Sequence, residues 1–138
     1  MKNLKKTLVM FGLITGFILA VNLSATAQTE RISFAKGKSE KTISVSIPPK
    51  GKKTFILSVG LKQAINVTLL NEKVSSDLSF KLLNPSRADK FEDYESGLTV
   101  LTGGKGDYAF SITNNKNFSV PFRIKVRVGN ASEYEGGQ

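Results

Sequence analysis

The chain contains no cysteine and no histidine. Without cysteine there is no disulfide, no thiol nucleophile and no thiolate metal site, so packing alone must hold the fold. Without histidine the commonest general base and the commonest transition-metal ligand are missing. No Ser-His-Asp or Cys-His constellation can be built. No segment after residue 27 shows the helical period of apolar residues, and no nucleic-acid recognition motif occurs. The run Gly103-Gly104-Lys105-Gly106 lacks the spacing and the following helix of a phosphate loop. These absences argue against an enzyme and against a nucleic-acid partner. No cofactor and no metal ion is expected.

The first 27 residues have a three-part pattern of their own. Lys2, Lys5 and Lys6 precede an apolar run from Leu8 to Leu23, and Ala25-Thr26-Ala27 follows it. A basic head, an apolar middle and an A-x-A end make a cleavable secretory signal. The uninterrupted apolar run is shorter than the ~20 residues that span a bilayer. The expectation is therefore a signal peptide over 1–27, a single domain over 28–129 and a flexible tail over 130–138. It places the mature protein in the periplasm or outside the cell, with no stable membrane span, as a monomer.

Positive charge outweighs negative, with Lys+Arg 20 against Asp+Glu 11, a net +9. Removal of the signal takes three lysines and no acid, which leaves +6. An exported basic protein can meet anionic glycans or lipid head groups, although solubility alone accounts for such a balance.

What the chain does have is alternation. Ile43, Val45 and Ile47 share one parity, as do Phe55, Leu57 and Val59; Ile65, Val67 and Leu69; Leu78, Phe80 and Leu82; Tyr108, Phe110 and Ile112. The longest such run is Val120, Phe122, Ile124, Val126 and Val128. Period two marks half-buried strands, because successive side chains leave opposite faces. Pro48-Pro49-Lys50-Gly51, Asn84-Pro85-Ser86, Gly103 to Asp107 and Asn114 to Asn117 supply the turns between them. The fold class is all-β: one antiparallel, jelly-roll-like β-sandwich of about 7–9 strands. Residues 85–97, polar and acid-rich, are expected to be a long loop or to carry a short helix.

The order of these segments resembles bacterial pre-peptidase C-terminal-type β-sandwiches. It is also similar to exported proteins of the g-type lysozyme inhibitor kind. The resemblance runs over most of residues 31–129. It rests on the opening Arg31 to Ser39, on Gly60-Leu61-Lys62-Gln63, on the Asn84-Pro85 turn and on Gly106-Asp107-Tyr108. It implies a non-enzymatic protein that plugs a lysozyme's substrate cleft with a protruding loop. The comparable stretch here is Asp93 to Gly97, ahead of the strand Leu98–Leu101, and Ser96-Gly97 matches the relatives. Between Leu83 and Tyr94 the sequence departs from the inhibitor pattern. Gly106, Asp107 and Tyr108 are expected to be structural: Gly106 to permit the turn, Asp107 to accept from backbone N–H groups within it, Tyr108 to bury its ring.

Two surface constellations follow. Phe91, Glu92, Asp93, Tyr94, Glu95, Ser96 and Gly97 form an acidic stretch with aromatic anchors, suited to a partner's cleft. Its spacing fits no EF-hand loop, and a solvated loop is the plain alternative. Arg123, Lys125 and Arg127 make a basic stripe along the last strand. It suits an anionic glycan or membrane surface, or serves as a charged edge that discourages sheet pairing. The leading expectation is an exported binding protein that inhibits a lysozyme; the alternative is a carbohydrate- or cell-surface-binding module.

Overall fold

A computed structural model describes residues 27–134. The expected signal peptide over 1–27, except Ala27 at the start of the first strand, and the last four residues of the expected tail lie outside the described residues. Nine strands form two sheets packed face to face. One sheet has the order β1-β3-β8-β5, built from Ala27–Arg31, Lys52–Val59, Gly106–Asn114 and Leu78–Leu82. The other has the order β2-β9-β4-β7-β6, built from Glu40–Ile47, Val120–Asn130, Gln63–Leu69, Gly97–Thr102 and Ala88–Tyr94. Every pairing is antiparallel except β1 with β3, which is parallel. Among the described residues no helix is long and apolar enough to cross a membrane.

The alternating runs are the core. Val45, Ile47, Phe55, Leu57, Ile65, Val67, Leu78, Leu82, Tyr108, Phe110, Ile112, Phe122, Ile124 and Val126 are all buried. Phe55 and Phe110 stack across β3 and β8 with ring centroids 5.3 Å apart. Burying each such ring contributes roughly 1.5–3 kcal/mol. β7 shows no alternation in burial: all its residues are buried except the half-buried Leu101. β9 continues to Asn130, past the point where its alternation stops, and Ala131–Glu133 adds one 3-10 turn.

The three residues of the Gly106 turn are structural, and one acts differently from expectation. Tyr108 is buried and its hydroxyl lies 3.0 Å from the Arg87 carbonyl, beside Gly104. Gly106 has φ +135, and a Cβ there would sit 2.3 Å from the Arg87 guanidinium. The Asp107 carboxylate does not cap its own turn. It accepts two hydrogen bonds from Arg31, at 3.0 and 2.6 Å, because a forked guanidinium satisfies both oxygens at once.

That pair clips the edge strand β1 to β8 across β3, and it carries a pH signature. The hydrogen bonds from Arg31 hold the Asp107 carboxyl below its ordinary value of 3.8. A depressed folded pKa gives stabilisation that is present above the unfolded value and lost as pH falls through the folded one. The amide of Ile32, which donates to Ile56 at 2.8 Å, should therefore lose exchange protection below about pH 4 while core amides keep theirs. Asp107→Asn should bring the same loss at neutral pH. Equal protection of Ile32 in the variant and the wild type would show that the clip does not hold this edge.

Candidate functional site

The stretch expected to protrude as a loop is an edge hairpin. A 3-10 turn at Pro85–Arg87 leads into β6, Ala88–Tyr94, and only Glu95 and Ser96 separate it from β7. The polar run forms a strand because one side pairs with β7 while both of its faces stay accessible. A strand of that kind needs no apolar alternation. Phe91 pairs with Val100 and Asp93 with Leu98, both β7 residues of the core. Phe91 and Asp93 therefore lie on the face turned toward the other sheet, while Glu92, paired with Thr99, lies on the outer face.

Alternation thus splits the acidic group. Glu92 and Asp93 leave opposite faces, and among the described residues no cluster of three acids could hold a metal ion. The Thr99 hydroxyl, beneath Glu92, is buried and without a hydrogen-bond partner among the described residues. Asp93, Tyr94 and Glu95 line a small recess of about 200 Å³ with Leu78, Ser79 and Phe80 of the neighbouring edge strand β5. Phe91 and Tyr94 are each 43% exposed, ample for contact with a partner.

Gly97 is part of the scaffold under the tip. It is buried, with φ +151, and a Cβ would lie 1.9 Å from the Val67 carbonyl oxygen on β4. The Leu69 amide donates to the Ser96 carbonyl at 2.7 Å, which ties the turn to β4. Ser96-Gly97 therefore fixes where the tip points, and Tyr94 and Glu95 are what the tip presents.

Next to this tip, residues 68–74 enclose an open cleft of about 760 Å³, with Leu70 41% exposed on its wall. No signal in the sequence pointed to this cleft. Arg123 borders it: its amide donates to Asn71 Oδ1 at 2.8 Å, and its carbonyl accepts from the Leu70 amide at 2.9 Å. The structure thus brings one end of the basic stripe and the hairpin tip to the same end of the second sheet.

The stripe itself lies on the outer face of β9, and β9 is an interior strand between β2 and β4. An edge-protecting role is excluded on that ground. Lys125 pairs with Glu40 at 2.9 Å and Arg127 with Glu133 at 2.6 Å. The hydrogen bond from Lys125, reinforced by its charge, holds the Glu40 carboxyl below the usual glutamate range. Among the described residues Arg123 has no ion pair.

No family model and no curated protein matches the sequence. Solved structures do match. A periplasmic inhibitor of g-type lysozyme from Aeromonas hydrophila superposes with TM-score 0.61 at 18% identity, over 75% of this chain and 97% of that one. The corresponding inhibitor from Salmonella Typhimurium gives 0.58 at 18% identity, over 73% and 97%. The pre-peptidase C-terminal domain of a Bacillus anthracis collagenase is more distant, with TM-score 0.45 at 14% identity over 74% and 93%. Identities this low speak to architecture: the described residues follow the β-sandwich fold of the periplasmic inhibitors of g-type lysozyme.

Proposed function

We propose that this is a non-enzymatic protein of the bacterial periplasm that inhibits a g-type lysozyme by occlusion. The tip of the β6–β7 hairpin enters the substrate cleft, with Tyr94 as the apolar anchor and Glu95 as the charged contact. One observation carries the reading: a two-residue turn, fixed to β4 through Ser96 and Gly97, presents an exposed tyrosine beside a carboxylate. A fixed turn loses little conformational freedom on docking, so its contacts convert efficiently into affinity. The fold likeness supports the reading, because it spans nearly the whole length of two inhibitors of that enzyme class. The periplasmic setting rests on the same two neighbours and on the basic, apolar, A-x-A start of the sequence. Long-range charge opposes a basic partner, so the local carboxylates of the hairpin must do the steering.

Purified protein should inhibit g-type lysozyme at roughly micromolar concentration or below, and c- and i-type enzymes more weakly. The double variant Tyr94→Ala/Glu95→Ala should weaken inhibition at least ~tenfold, since a buried aromatic anchor often contributes that much. No inhibition at tens of micromolar would remove the mechanism. Full potency in the double variant would move the contact away from this hairpin.

A further inference from the structure

The basic stripe is not used by the hairpin reading, and its surroundings are those of a ligand site. We infer that the outer face of β9 binds an acidic polysaccharide through the sugar carboxylates, and that Glu133 occupies part of this site until the glycan displaces it. Arg123, Lys125 and Arg127 stand in a line, about 7 Å apart along the strand. Ser44 and Thr42 on β2 oppose Arg123 and Lys125, Thr68 and Asn66 on β4 oppose Lys125 and Arg127, and Glu40 on β2 opposes Arg127 and pairs with Lys125. Short neighbours leave the cationic heads accessible along a polar track. The track deepens into an open trough of about 410 Å³ lined by Asn66, Thr68, Lys125, Arg127, Ser132 and Glu133. That volume is within the range of sugar-sized sites.

Glu133 marks what the trough accepts. Its carboxylate lies 2.6 Å from the Arg127 guanidinium and directly over Gly129, where a Cβ would sit 1.3 Å from the carboxylate oxygen. The carboxylate thus has a seat made of one guanidinium and a bare backbone. The turn that carries it is three residues long and buries none of them. Among the described residues its further hydrogen bond is from the Asn66 side-chain amide, which donates to the Glu133 carbonyl at 3.3 Å. A segment with so few contacts detaches at little cost. Exchange of one carboxylate for another is nearly neutral at Arg127, so net affinity must come from further contacts. Arg123, unpaired among the described residues, provides one to a ligand with repeated carboxylates, while Lys125 must exchange Glu40, its partner at 2.9 Å, as Arg127 exchanges Glu133. The flanking hydroxyl and amide groups match sugar hydroxyls, and an exposed aliphatic side chain, Leu70, adjoins the track at its Arg123 end.

The proposal is independent of lysozyme inhibition, and the two fail separately. Hexagalacturonate should bind the purified protein at low salt, monitored by amide shifts along β9, and weaken as salt rises. Glu133→Gln should bind about tenfold more tightly, and adding Arg127→Gln to it should abolish that gain, the size expected for a charge-assisted contact. Lysozyme inhibition should be unchanged in both. Neutral cellohexaose should not bind. The inference is overturned if hexagalacturonate fails to bind even Glu133→Gln at millimolar concentration, if cellohexaose binds equally well, if Glu133→Gln binds no more tightly than wild type, or if vesicles rich in phosphatidylglycerol bind while hexagalacturonate does not.

Discussion

Gly97→Ala should destabilise the protein by about 3–5 kcal/mol, a backbone-strain cost plus an overpacking cost. The added methyl group would begin 1.9 Å from the Val67 carbonyl oxygen, and the residue would hold φ +151, where side chains are rarely tolerated. Neither atom can step aside, because Val67 and Gly97 both belong to paired strands of the same sheet. Urea unfolding gives the value directly. Gly104→Ala is the control, since nothing lies within 4 Å of its Cβ, and it should change stability by less than about 0.5 kcal/mol. A Gly97→Ala cost below about 1 kcal/mol would show that the hairpin root yields, and with it the fixed aim of the tip. The same variant separates two roles for Ser96-Gly97. If the pair only positions the turn, inhibition lost in Gly97→Ala should track the lost stability rather than a missing contact.

Asn114→Asp should be the second severe change, and a diagnostic one. Asn114 is fully buried at the end of β8, where its Nδ2 group faces the carbonyls of Ile47, Pro48 and Phe118 at 3.0, 3.0 and 2.8 Å. Its Oδ1 accepts from the Lys116 amide at 2.9 Å. The side chain joins the end of β2, the Pro48 turn and the loop before β9. Asn114→Ala strands these groups and should cost about 2–4 kcal/mol. Asp should cost more at neutral pH, about 4 kcal/mol or beyond, because a carboxylate would face three carbonyl oxygens in a buried site. Burial and those carbonyls raise the folded pKa of the new carboxyl above its unfolded value. Such a group favours folding when protonated, so the Asp variant should regain stability as pH falls from 7 toward 5. A variant that is equally unstable at both pH values would contradict this placement of the amide.

Most of the sandwich is legible as period two, because strands with one buried face must alternate: Ile43, Val45 and Ile47 are on the core side, and Thr42, Ser44 and Ser46 are not. Strands β6 and β1 have no such constraint. β6 exposes both faces at a sheet edge, and β1, starting Ala27-Gln28-Thr29, pairs at the opposite edge in parallel. Asn114 opens an Asn-rich run with loop chemistry, yet its parity continues Tyr108, Phe110 and Ile112 inward. A polar residue on a buried parity was the available sign of an internal clamp. The residues of the hairpin were named from the sequence, but their split between faces depends on the register with β7. The Arg31–Asp107 clip joins positions 76 apart and the Arg127–Glu133 seat depends on a turn over the sheet. No local pattern encodes either.

The parallel edge strand also bears on the order of assembly. β1 is the first described strand along the chain, yet its neighbour β3 is supported on the far side only by β8. A lone parallel pair is too weak to persist in water, so β1 has to wait, frayed, until the chain beyond residue 106 has been made. Such a distant closure comes late. A polypeptide released before β8 is complete would leave the side of β3 meant for it open to strands of other molecules.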